Sequence, residues 1–154
     1  MIKGITPFLW FDGRAEEAMN FYVSIFKNSK VLDISHFGGK VLVVNFELED
    51  QKFMGMNAEP LFKFTEAVSF LVSCETQQEV DELWEKLSAG GEKSRCGWLK
   101  DKFGLSWQII PTALSQFMTD PDPKKSGAVM QAMLKMDKII IEDLRRAYND
   151  SAAA

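Results

Sequence analysis

Few side chains in this chain have a type and spacing that could carry chemistry. The single histidine, His36, stands between Ser35 and Phe37, just ahead of Gly38-Gly39. An imidazole there is either a solvated strand-end group or an acid–base residue at a pocket mouth, because only histidine titrates unperturbed near neutrality. The two cysteines, Cys74 and Cys96, make no CxxC pair. Cys74 lies in an apolar run and reads as core. Cys96 lies beside Gly97 at a turn and is a candidate reactive thiol. Two free thiols suit a reducing compartment. Neither HExxH nor GxSxG occurs. Gly38-Gly39 and Gly90-Gly91 read as turns. A nucleotide-binding loop must open a helix after a parallel strand, and neither pair is placed to do so. Trp10, Trp98 and Trp107 lie on or beside strand-like segments, where an indole fills a core or lines a pocket.

These groups sit on a pattern that repeats. Ile5–Phe11 reads as a strand with Pro7 marking an edge or bulge. Residues 15–27 come next as a helix, with Ala15, Ala18, Tyr22 and Ile25 at helical spacing. Residues 30–37 form a strand that turns at Gly38-Gly39, a hairpin signal. In residues 41–49, Leu42, Val44, Phe46 and Leu48 alternate with Val41, Val43, Asn45 and Glu47, as a half-covered strand requires. Residues 52–57 return as a fourth strand. Then the order recurs. Residues 67–74 are a strand, and Thr76 and Glu79 have capping-box spacing. Val80, Leu83, Trp84 and Leu87 make a helical stripe that ends at Gly90-Gly91. Weak strands are expected around residues 93–98, a turn at 101–104, and a strand over 105–110 stopped by Pro111. A shift of 62 residues lays 15–26 onto 77–88 and Leu9 onto Leu71. The fold class is therefore α+β, two βαβββ modules forming curved mixed sheets with outer helices. We expect residues 1–112 to hold both modules (about 1–60 and 66–112) as one domain, with 113–154 a helical extension.

In that extension, helices are expected over 114–118, 126–136 and 141–148, broken by Asp120-Pro121-Asp122-Pro123, with residues 149–154 fraying. Met130, Met133 and Met136 give it an adaptable apolar face. The net charge of −4 argues against nucleic acid as a partner. No apolar run is long enough for a bilayer, and the first residues lack the pattern of a signal peptide. The expected location is the cytoplasm.

Two stretches carry more than pattern. Ile5-Thr-Pro-Phe-Leu-Trp-Phe-Asp-Gly13 leads into Ala15-Glu-Glu-Ala18 and Phe21-Tyr22, and Cys96-Gly-Trp-Leu-Lys-Asp-Lys-Phe-Gly-Leu-Ser-Trp-Gln-Ile-Ile-Pro111 closes the second module. Together they resemble the PhnB-like branch of the vicinal-oxygen-chelate superfamily, which also holds glyoxalase I, bleomycin-resistance proteins and extradiol dioxygenases. Some relatives carry a demethylubiquinone methyltransferase label. The resemblance implies paired βαβββ modules, a homodimer and a cavity against the sheets. It also places the superfamily's metal-ligand positions near Ile5 or Pro7, Asn57, Ser69 and Gln108. None of these is histidine or carboxylate, so no metal and no cofactor are expected. The expected site is instead a cavity organised by Asn57, Ser69 and Gln108 with Trp10, Trp98 and Trp107, binding a small molecule whose identity the residues do not specify. The alternatives are an enzyme of the superfamily, including methyl transfer, and a structural or regulatory dimer without ligand.

Overall fold

The strand with the strictest alternation anchors the first sheet. The structure is a computed structural model and describes residues 1–152. In β3 (Lys40–Leu48), Val44, Phe46 and Leu48 are buried and Val43, Asn45 and Glu47 are half-buried. Leu42, expected among the buried set, is exposed near the start of the strand. β3 continues from β2 (Ser29–Phe37) through Gly38 and Gly39, whose φ values of 58° and 76° make the mirror-image turn that matches strand twist. β4 (Gln51–Asn57) pairs antiparallel with β3 and parallel with β1 (Phe8–Phe11), giving the order β1-β4-β3-β2. β1 starts later than expected. Pro7 has no N–H to give, but its carbonyl still accepts from the Met54 N–H at 2.9 Å. α1 (Ala15–Ile25) packs on β3, β2 and β4. Its Tyr22 ring lies 6.1 Å from Phe46, which stacks on Phe53 at 5.5 Å. Gly55 is part of this packing. A Cβ there would stand 2.9 Å from the Phe11 ring, so a side chain would push that ring out of the core.

The second sheet has the order β5-β8-β7-β6. Its strands are β5 (Ser69–Cys74), β6 (Glu92–Lys93), β7 (Trp98–Lys100) and β8 (Ser106–Pro111). β5 and β8 are parallel, and β7 runs antiparallel to β8 and β6. α2 (Gln77–Ser88) carries the expected capping box. The Glu79 N–H donates to Thr76 Oγ1 at 3.2 Å, and the Thr76 N–H donates to Glu79 Oε2 at 3.1 Å. Val80, Trp84 and Leu87 are buried. Cys74 is buried as expected, and desolvation pushes its thiol up to about 11.

Two expectations from the sequence are corrected here. The weak strands expected around 93–98 are divided by a turn. Cys96 (φ 56°) and Gly97 (φ 81°) adopt left-handed backbone and give their N–H groups to the Met136 and Asp137 carbonyls. Trp98 therefore starts β7 instead of ending an earlier strand. The repeat also changes register between elements. The helices keep the 62-residue shift, but Leu9 is 6% exposed and Leu71 is 54% exposed. The β5–α2 connection is one residue shorter than β1–α1, so the buried positions Leu9 and Phe11 correspond to Val72 and Cys74. A one-residue slip of this kind swaps the faces of a strand.

The chain forms two compact units, Met1–Lys63 and a second from Phe64 onward. The C-terminal helices belong to the second. α3 (Thr112–Met118), α4 (Pro123–Met133) and α5 (Ile141–Ala152) enclose Leu114, Val129, Ile139 and Leu144. Met133 and Met136 pack against this cluster and are partly buried rather than part of an exposed face. Met130 and Leu134 point outward. α4 begins three residues earlier than expected because Asp122 caps the Lys124 N–H at 2.9 Å and Pro123 sits in the first turn. α5 continues through residues 149–152, where fraying was expected; 153–154 lie outside the described residues. Among the described residues, no helix is long and apolar enough to cross a membrane.

Candidate functional site

Strand parity in the second unit separates two kinds of residue. On β8, Trp107, Ile109 and Pro111 alternate inward and are buried, with α2 packed on β7 and β8. Ser106, Gln108 and Ile110 take the opposite face. Strand register then sets two rows across that face. One runs Ser69, Ser106, Lys100, Glu92, and the next runs Leu71, Gln108, Trp98. Gln108 Nε2 donates to Ser69 Oγ at 2.9 Å. Lys100 Nζ pairs with Glu66 at 2.5 Å. The hydrogen bond from Lys100 holds the Glu66 carboxyl below its ordinary range, and the same bond raises Lys100. Ser106 is only 1% exposed, and its hydroxyl oxygen is the one buried side-chain polar atom without a hydrogen-bond partner among the described residues. A cavity of about 430 Å³ opens here, lined by Glu66, Glu92, Arg95, Trp98, Lys100 and Ser106 among others.

The support beneath this face is a buried carboxylate. Asp101 is 2% exposed. Its Oδ1 accepts the N–H groups of Phe103 at 2.8 Å and Leu105 at 3.0 Å, and its Oδ2 accepts Trp107 Nε1–H at 2.9 Å. These bonds fix the turn between β7 and β8 and hold the Trp107 indole in the core, 5.6 Å from Phe70. Trp107 therefore supports the sheet from the side away from the cavity.

The six residues expected to share one cavity are divided between the two units. Ser69, Gln108 and Trp98 come together in the second unit. Asn57 and Trp10 belong to the first. Asn57 shares strand parity with the buried Phe53 and Gly55, so it faces α1. Its Oδ1 accepts the Ala15 N–H at 2.8 Å, and its Nδ2 donates to the Val41 carbonyl at 3.2 Å. Its amide is thus engaged at the start of α1. Trp10 Nε1 donates to the Glu59 carbonyl at 2.8 Å, and its ring meets Phe62 edge-on at 5.1 Å. His36 is exposed on the edge strand β2. Cys96 lines the cavity, with its Sγ 3.7 Å from the Met133 carbonyl. Sequence reasoning missed Ser106, Lys100 and Glu66. Ser106 shares parity with Gln108 and could have been read from it. Glu66 lies in a loop and gave no signal. Among the described residues, no three His, Cys, Asp or Glu side chains converge as a metal site would need.

Known proteins resemble the chain in both sequence and fold. Residues 3–110 match the family model described as 3-demethylubiquinone-9 3-methyltransferase. A PhnB protein from Bacillus cereus, carrying the same label, is 38% identical; the match covers 71% of this chain and all of that one, with a TM-score of 0.67. Protein PA1353 from Pseudomonas aeruginosa is 17% identical over 71% of this chain and 98% of its own, with a TM-score of 0.61. The fosfomycin resistance protein FosX from Listeria monocytogenes is 18% identical over 78% of this chain and 100% of its own, with a TM-score of 0.60, and other structures of it hold Mn(II). The last two likenesses concern the fold. No curated protein matches the chain.

Proposed function

The chain belongs to this PhnB-like family of the vicinal-oxygen-chelate superfamily, and on that premise we propose that it is a small-molecule binding protein whose site is the second sheet's face opposite α2. The observation that carries this reading is the Ser106 hydroxyl. It is shut off from solvent, belongs to a residue of the cavity wall and lacks a partner, and such a group is costly unless something satisfies it. Ser69 and Gln108, already bonded to each other, and the Trp98 ring supply the adjoining polar and apolar surface. A divalent metal of the kind held by FosX does not fit. Of the cavity's two acids, Glu66 is engaged by Lys100 and Glu92 is exposed at the end of the row, no three metal-binding side chains converge among the described residues, and the former ligand positions offer a hydroxyl and amides.

Methyl transfer from S-adenosylmethionine is the less supported reading. The helix that succeeds each parallel outer strand has one first-turn N–H already taken by a side chain, Ala15 by Asn57 and Glu79 by Thr76. Neither leaves the open glycine-rich turn that cradles a nucleotide cofactor. Calorimetry with S-adenosylmethionine is expected to show no saturable binding. We also read the protein as cytoplasmic, in keeping with its free thiols, and as a homodimer. The nine-residue edge strand β2, with exposed Val31, Leu32 and Phe37, supports the dimer; a monomer mass in light scattering at micromolar concentration would refute it. The binding function is tested by a thermal-shift screen of metabolites on the wild type and on Gln108→Ala. Stabilising compounds are expected to lose their effect in the variant. A screen without stabilisers, or an unaltered response in Gln108→Ala, would contradict the site.

A further inference from the structure

The donors and acceptors of the same cavity narrow the class of ligand; this step rests on the binding reading above. We propose that the cavity takes a small organic carboxylate, with its acid group over the Ser69–Ser106–Lys100 row and its apolar body against Trp98.

Each group of the row and its neighbour Trp98 has a hydrogen left to give. Ser69 Oγ accepts from Gln108, so its own hydrogen remains to be donated. The Ser106 hydroxyl is uncommitted and buried. Lys100 has three N–H donors and a single ion pair, with Glu66. The Trp98 indole N–H has no hydrogen-bond partner among the described residues, and it can only donate. These four groups therefore ask for an acceptor. The acids do not reverse this. Glu66 is already bound by Lys100 and its side chain is 61% exposed, against 37% for Lys100. Glu92 is exposed at the outer end of the row, and the exposed cation Arg95 also lines the cavity. The less solvated member of the central ion pair is thus the cation. An ammonium favours a carboxylate, because charge-assisted bonds to it are shorter and stronger than neutral ones.

The lysine also limits the chemistry. Its bond to Glu66 raises its proton affinity, so it stays an ammonium and does not serve as a base for the neighbouring Ser106 hydroxyl. Serine and lysine side by side here recognise an acid rather than form a nucleophilic pair.

The test is an amide-resolved NMR titration with three probes of similar size: benzoate, benzyl alcohol and benzylammonium. Benzoate is expected to shift the amides of Ser69, Trp98, Lys100 and Ser106 saturably, and to bind at least about fivefold more tightly than the other two. Lys100→Gln is expected to abolish that preference while leaving benzyl alcohol binding within about twofold. Ser106→Ala removes one hydroxyl from a folded strand and is expected to weaken benzoate by about threefold or more. Benzylammonium binding as tightly as benzoate, or a preference that survives in Lys100→Gln, would overturn the carboxylate assignment and leave the small-molecule reading standing. Absence of shifts at these four amides with all three probes would overturn both.

Discussion

The two units share a strand order and a parallel outer pair, yet they satisfy the start of their helices in different ways. In the first, the cap comes from far along the chain: Asn57, 42 residues away, accepts the Ala15 N–H. In the second, it is local, with Thr76 and Glu79 closing a box across three residues. The strand position that corresponds to Asn57 is held by Pro111, which pairs with Cys74 as Asn57 pairs with Phe11. The second unit therefore needs no side chain from β8 to cap its helix. The polar residues of β8 turn instead to the opposite face, where Ser106 and Gln108 meet Ser69, Lys100 and Trp98. The same topology thus places its polar groups in a helix cap in one unit and in a cavity in the other.

The largest effect should come from removing the support under that cavity. Asp101→Ala leaves three N–H donors in buried or half-buried positions without their carboxylate, and is expected to cost about 3 to 5 kcal/mol, read by chemical denaturation. Gln108→Ala should separate binding from folding. It is expected to weaken ligand binding by about 1 to 3 kcal/mol in calorimetry and leave stability within about 1 kcal/mol, because the lost partner, Ser69 Oγ, is half-buried. A stability loss as large as the binding loss would mean that the amide serves the fold, as Asn57 does.

The caps offer a paired test. Asn57→Ala is expected to cost about 1 to 2 kcal/mol and to speed hydrogen exchange in α1 and at the Val41 end of β3, leaving α2 protected. Thr76→Ala should cost about 1 kcal/mol and do the converse. Exchange that rises equally in both helices after either change would erase the distinction between distant and local capping.

The smallest effect is a pH limb in the C-terminal helices. Tyr148 donates to Asp120 Oδ2 at 2.6 Å, and this bond holds the Asp120 carboxyl below its ordinary range. A folded-state pKa below the unfolded one stabilises above the unfolded value, and the contribution is lost as pH falls through the folded value. Protection of α5 is therefore expected to decline below the ordinary carboxylate range in the wild type. In Tyr148→Phe that acid-side decline should be shallower. Identical acid profiles for the two proteins would count against the contact.

How much of this was legible in the sequence depends on the range of the interaction. Alternation in β3 showed Val44, Phe46 and Leu48 as core, and Thr76 with Glu79 showed a helix start, because both patterns are local. The role of Asn57 was not legible. Its partner is 42 residues away, and its face depends on a register that one residue in the β5–α2 connection had already changed for the repeat. Ser69 and Gln108 were found together, since parity and the family motif placed both on one side. The orphaned Ser106 hydroxyl and the Glu66–Lys100 pair emerged only once strands β5, β7 and β8 were laid side by side with the loop before them.

The proposed binding site on the second sheet's face opposite α2 is tested most directly by crystallographic soaking with a small-fragment library. Fragment density is expected within hydrogen-bond reach of Ser106 and beside Trp98. Density confined to the first unit, against Trp10 or under α1, or fragments throughout the crystal with none near Ser106, would contradict it.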